Sequence, residues 1–190
     1  MSIFIGRKEE LARLNRLNKQ KKSKLVVLKG RRRIGKSTLV KECAKSSKFI
    51  SLSGIPPSKN LTDQKQRDEF ANQLCTQLNL PRVTFLTWTD AFNFLSTCLI
   101  KDEQTVILFD EISWMAELDP SFLGSLKTFW DQNISQKENV MLILCGSIST
   151  WIEKNILEST GFVGRISLVI HLKPLTLPES VLFLRKKGFK

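Results

Sequence analysis

The sequence predicts an α/β fold, a parallel β-sheet covered by helices on both faces. Three observations lead there. Strand-like and helix-like runs alternate along the chain. Strand-like runs such as residues 105–109 and 140–145 are continuously apolar or β-branched, which is the pattern of strands buried on both faces. The first of them, residues 25–29, leads straight into Gly30-Arg-Arg-Arg-Ile-Gly35-Lys36-Ser37-Thr38. That is the G-x-x-x-x-G-K-S spacing of a phosphate-binding loop between a strand and a helix.

Each element has its own signal. Residues 8–19 carry Leu11, Leu14 and Leu17 at three-residue spacing and predict an amphipathic helix. A polar link, residues 19–24, enters the first strand. The helical run after the loop covers residues 39–46, and residues 48–53 read as the second strand. The breaker-rich stretch 54–60 is a loop. Phe70, Leu74 and Leu78 mark a helix over 62–79 that Pro81 stops; a further helix covers 89–100. The strand at 105–110 ends in Asp110-Glu111. Asp119-Pro120 reads as a helix start with Asp119 as the cap, followed by Phe122, Leu123, Leu126, Phe129 and Trp130. The strand at 140–145 ends in Gly146-Ser147, and 166–172 is the last strand. Thr176-Leu-Pro-Glu179 has the pattern of a capping box opening a helix that ends at Gly188.

Composition narrows the class. At 190 residues, 42% apolar and 25% charged, the chain has the make-up of a soluble globular domain. It has no run of the ~18 apolar residues a membrane span needs and no secretory leader, so no membrane partner is expected. Cys43, Cys75, Cys98 and Cys145 are scattered in apolar surroundings with no metal spacing, which suits a reducing, cytoplasmic setting. The net charge is +12, yet residues 7–48 alone hold 16 basic against 3 acidic residues, a net of +13. This excess reads either as a solvated face or as a surface for nucleic acid or an acidic protein.

In such folds ligands bind at the carboxyl ends of the strands, and three polar motifs fall there. In the loop, Gly30 and Gly35 allow the backbone to curl so that its N–H groups face one anion, with the side chains of Arg31, Arg32 and Arg33 free for solvent or a partner and Ile34 between them and Gly35. Lys36 can reach the β- and γ-phosphates, Ser37 and Asp110 can hold Mg²⁺, and Thr38 continues the helix start. Glu111 can orient the attacking water. Ser147 is placed to read the γ-phosphate. Arg165, after Gly164, can touch phosphate in its own chain or reach into a neighbouring subunit.

These segments, with Phe4-Ile-Gly-Arg-Lys-Glu9, Phe109-Asp-Glu-Ile-Ser-Trp-Met115, Leu142-Ile-Leu-Cys-Gly-Ser147 and Leu172-Lys-Pro-Leu175, resemble the archaeal-type ATPase family, related to AAA+ and STAND P-loop NTPases. The resemblance spans nearly the whole chain. It implies an AAA+-like core with a five-stranded sheet of order 5-1-4-3-2, ATP as the nucleotide, and Ile5 and Arg7 near the adenine. It divides the chain into an ATPase core, residues 1–175, and the start of a helical lid, residues 176–190, that the sequence leaves truncated. Hydrolysis is then expected to be slow without lid or partner. The family's paired serines read Ser147-Ile-Ser149 here.

The leading expectation is an Mg²⁺-dependent ATPase acting as a conformational switch, possible as a homo-oligomer. The alternative is a nucleic-acid-binding module that keeps nucleotide as a structural ligand. A small-molecule kinase fits poorly, because Glu111 would activate the water a kinase must exclude.

Overall fold

The computed structural model describes residues 4–188; Phe189 and Lys190, the last two of the expected lid segment, lie outside the described residues, as do Met1 to Ile3. Five parallel strands form one sheet: β1 (Lys24–Lys29), β2 (Lys48–Ser53), β3 (Thr105–Asp110), β4 (Val140–Gly146) and β5 (Ile166–His171). Their order is β2-β3-β4-β1-β5, the expected 5-1-4-3-2 read from the other side. Eight α-helices connect them among the described residues: α1 (Lys8–Asn18), α2 (Lys36–Cys43), α3 (Asp63–Leu78), α4 (Trp88–Thr97), α5 (Ile112–Ala116), α6 (Phe122–Phe129), α7 (Ser149–Ile152) and α8 (Leu177–Lys186).

Two cores follow from the alternation of side chains along a strand. On β1, Leu25 and Val27 join one core and Val26 and Leu28 the other. The first is built on α3, α4 and α6 and is strongly aromatic. Phe92 stacks on Phe109 at 5.7 Å and on Phe129 at 5.2 Å, and Trp88 meets Phe122 edge-on at 4.7 Å. The second packs α1 and α2 against the opposite face through Leu14, Leu39 and Val40. The thiols behave as small apolar groups: all four are free, and burial pushes Cys43 up to about 11.

The open edge of β2 is sealed by side chains. Gln73 accepts the Ser53 N–H at 2.7 Å and donates to the Ser53 carbonyl at 3.0 Å; Gln77 does the same for Ser51 at 2.9 and 2.8 Å. Two amides four residues apart on α3 thus stand in for a neighbouring strand, whose absence would leave a row of free backbone groups.

Three local features depart from expectation. Asp119 does not cap α6; Ser121 occupies that position, while Asp119 Oδ1 accepts the Ser121 N–H at 2.9 Å and Oδ2 accepts from the buried Arg67 guanidinium at 3.1 Å. The two oxygens serve both partners at once, and a turn through Pro120 and Ser121, closed by the Phe122 N–H to the Asp119 carbonyl, starts α6 later than expected. The two short helices α5 and α7 were not expected, since neither spans enough turns to show a period. Both sit at the carboxyl edge of the sheet, where β3 and β4 end.

Candidate nucleotide site

The phosphate loop is shaped by backbone geometry before any side chain acts. Gly30 passes so close to β5 that a Cβ there would lie 2.4 Å from the Leu172 carbonyl oxygen. Gly35 has φ 90°, a left-handed conformation natural to glycine, and starts α2. Arg33 takes φ 61° in the same loop. A non-glycine residue in that region carries a conformational cost, which accords with a loop constrained from both ends.

Lys36 is buried, and its ammonium donates to the carbonyls of Gly30 and Arg31, both at 2.9 Å. It ties the loop closed from within. Ser37 donates its hydroxyl to Asp110 Oδ2, and so joins the start of α2 to the end of β3. A recess of about 270 Å³ is lined by Arg33, Gly35, Lys36, Ser37, Thr38, Asp110 and Glu111. The loop and both acids, 73 residues apart in sequence between Ser37 and Asp110, therefore open onto one small polar space.

Glu111 follows Asp110 at φ 50°, and this left-handed turn takes it off the alternation of β3. Its Oε2 accepts the Ser147 N–H at 3.1 Å and the Ser147 hydroxyl at 2.8 Å. Ser147 thus engages Glu111, and the ends of β3 and β4 are joined. Beneath Asp110, burial and the neighbouring carboxylate push the Cys145 thiol well above its ordinary value, so it stays neutral.

A second, larger pocket of about 670 Å³ adjoins the recess and shares Arg33, Gly35 and Thr38 with it. Ile5, Ile34, Pro174, Leu175 and Phe183 give it apolar walls. Ile5 and Arg7 both line this pocket. Phe183 was missed by sequence reasoning; its signal is that α8 buries no residue, so its apolar side chains face outward.

One carboxylate holds this pocket's two walls together. Glu179 completes the expected capping box, accepting from Thr176 N–H and hydroxyl, both at 2.9 Å. It also accepts the Arg7 N–H at 2.7 Å. Arg7 in turn donates its guanidinium to the Ile34 carbonyl at 3.2 Å. The backbone N–H groups of Thr176 and Arg7 hold Glu179 below its usual range. Gly6 takes φ 74°, a conformation that favours glycine, and a Cβ there would fall 2.8 Å from the Glu179 Oε1. Trp114 is the other residue missed: the Arg32 guanidinium lies 4.9 Å from its ring centroid.

Arg165 lies elsewhere. It precedes β5, whose Ile166 is level with Leu25 at the start of β1, while the loop follows the end of β1. About 3.3 Å per residue places it roughly 20 Å from its own phosphate loop. It donates two hydrogen bonds to Asp131, at 2.7 and 2.9 Å, and that guanidinium holds the carboxyl below its ordinary value. The option of Arg165 touching phosphate within its own chain does not survive this placement.

Comparisons with known proteins agree with this architecture. An uncharacterized protein of Methanocaldococcus jannaschii is 27% identical over 173 residues, covering 91% of this chain and 36% of its own length. An uncharacterized ATP-binding protein of the same organism is 44% identical over 47 residues, 25% of this chain and 80% of that one. Among solved structures, a Walker-type ATPase of Pyrococcus abyssi aligns with TM-score 0.62 at 19% identity over 98% of this chain and 60% of its own. The Cdc6p protein of Pyrobaculum aerophilum aligns with TM-score 0.64 at 16% identity, over 99% and 52%. At these identities the likeness is one of fold, and the chain spans less than two thirds of either structure. Residues 4–190 match the model of the ATPase domain found predominantly in Archaea, and the chain belongs to that family.

Proposed function

We propose that the chain is an Mg²⁺-dependent ATPase that uses hydrolysis to switch contacts at the carboxyl edge of its sheet. The observation that carries this reading is the single recess lined by Lys36, Ser37, Thr38, Asp110 and Glu111, opening beside a larger pocket with apolar walls. The ATP-binding relative in Methanocaldococcus jannaschii and the ADPNP–ADP complexes of the Aeropyrum pernix ORC2 protein support an adenine nucleotide.

The roles follow from the donors present. Backbone N–H groups from Gly30 to Thr38 take the phosphate tail, with the start of α2 adding its dipole. Lys36 leaves one or both loop carbonyls to meet the β- and γ-phosphates. Ile5 and Arg7 border the adenine. Ser37 and Asp110 offer hard oxygen donors side by side, which suits Mg²⁺. Mg²⁺, when bound, neutralises charge on the β- and γ-oxygens. Glu111 orients the attacking water and accepts its proton.

Ser147 holds Oε2 of Glu111, and turning that oxygen to the water releases Ser147. The exchange is the switch: the carboxylate held by Ser147 in one state faces the γ-phosphate in the other. Arg165, too far from its own loop, serves the site of a neighbouring copy. The deciding experiment is Glu111→Gln. ATP binding should persist while turnover falls about 10²–10⁴-fold. Unchanged turnover would refute the assignment. Chelating Mg²⁺ should abolish turnover of the native chain; turnover that survives chelation would remove the metal from the reading.

A further inference from the structure

The fold splits the chain's positive charge between the two edges of the sheet, and only one share faces the nucleotide pockets. Residues 11–41 contain 12 Lys and Arg and no Asp or Glu. Arg31, Arg32, Arg33 and Lys36 belong to the phosphate loop at the carboxyl edge. Arg13, Arg16 and Lys19 step along α1 and its end at three-residue intervals, and Lys21, Lys22 and Lys24 continue to the amino edge. Lys24 begins β1 and Gly30 follows its last residue. At about 3.3 Å per residue the two edges are roughly 20 Å apart. A bound nucleotide therefore leaves this second share of charge untouched.

Among the described residues, Lys29, Lys45 and Lys48 pair with Glu153, Glu42 and Glu103, whereas none of the six cations from Arg13 to Lys24 forms an ion pair. Arg13 makes one long contact, 3.5 Å to the Val169 carbonyl. Five of the six are exposed, and Lys24 is half-buried. The adjoining turns carry Lys101 and Lys137 against Asp102 and Glu138 and so add no net charge. The support beneath the stripe is ordered. Ser23 N–H donates to the Lys137 carbonyl at 3.0 Å, and Asn18 is bonded to Ser47 at 3.0 Å and Gln104 at 2.8 Å.

We propose that this stripe, Arg13 to Lys24, is a docking surface for the phosphate backbone of duplex nucleic acid. Two features select that partner. No large apolar side chain is exposed between residues 8 and 24, so the stripe lacks the apolar, charge-depleted centre of a protein interface. It also contains no aromatic residue, so it offers no platform for the unstacked bases of a single strand. What remains is a row of cations rising about 4.5 Å per step on the helix, complementary in sign to a duplex that carries one charge per about 1.7 Å of axis. Contacts of this kind position a duplex without reading its sequence.

The test is fluorescence anisotropy with a labelled duplex of about 20 base pairs, titrated across salt, on the native chain and on Arg16→Glu/Lys19→Glu/Lys22→Glu. Binding of a fluorescent ATP analogue monitors the fold and the nucleotide site separately. The native chain should show log K falling with log salt at a slope of about −3 to −5, near −0.9 per phosphate. The reversal should weaken duplex binding at least about tenfold and flatten that slope, with ATP-analogue binding unchanged. If the reversal disturbs the fold, the milder Lys19→Gln/Lys22→Gln decides, with a smaller loss in the same direction. Duplex binding unaffected by these changes overturns the proposal. So does a native chain that binds polyglutamate, or a single strand of the same length, as tightly as the duplex.

Discussion

Glu111 shows how much rests on one backbone angle. Its φ of 50° takes the side chain off the strand alternation and sets it beside Ser147. Ser147→Ala removes the hydroxyl donor while leaving the backbone N–H, so it should alter turnover more than ATP affinity, by about tenfold; equal changes in both would mean that Ser147 merely binds. Lys36 has the opposite profile. Charge-assisted hydrogen bonds contribute about 1.5–3 kcal/mol, so Lys36→Ala should weaken ATP binding about 10–100-fold, read by titration with the fluorescent analogue. Glu179 adds a pH signature. Its folded value lies below the usual carboxylate range, so the stability it adds is present above about pH 4.3 and is lost as pH falls through the folded value. Melting temperatures of the native chain and Glu179→Gln should differ near neutral pH and converge as the pH falls below that range. A gap that persists in acid would show that the carboxylate charge is not what holds Arg7 and Thr176.

At the scale of elements, the aromatic packing between β3, α4 and α6 and the sealed edge of β2 do different work. Phe92 is buried and meets Phe70, Trp88, Phe109, Phe122 and Phe129. Phe92→Ala should cost about 3–5 kcal/mol by cavity formation, seen as a lower midpoint in urea. Gln73→Leu is a milder change with a different signature. It leaves Ser53 N–H and carbonyl unpaired at an open edge, which costs about 1–3 kcal/mol and exposes a template for another chain. Concentration-dependent association should accompany the loss of stability; a monomer as well-behaved as the native chain would mean that water satisfies the edge equally well.

At the scale of the whole molecule, the parallel sheet separates tasks by edge. The carboxyl ends hold the loop, both acids and Ser147; the amino ends hold Arg165 and the terminus of the basic stripe. If Arg165 completes a neighbour's site, turnover per chain should rise with protein concentration, and Arg165→Ala should remove that rise while leaving ATP binding intact. Turnover per chain independent of concentration, and the same for the variant, would exclude assembly as part of catalysis.

The phosphate loop, Asp110-Glu111 and the alternation of apolar strands with helices were legible in the sequence because they depend on local spacing: a glycine that permits a turn, a run that buries two faces, a carboxylate at a strand end. The helices α5 and α7 were not, since a single turn has no period to read. Nor were the contacts that join distant segments: Arg67 with Asp119, Arg165 with Asp131, Glu179 with Arg7 and Glu111 with Ser147. Each of these pairs a charged or polar group with whichever partner the packed sheet brings within reach, over separations of 34 to 172 residues. Local chemistry determined which residues could bind a nucleotide; only the tertiary arrangement decided which of them meet and placed Arg165 at the far edge.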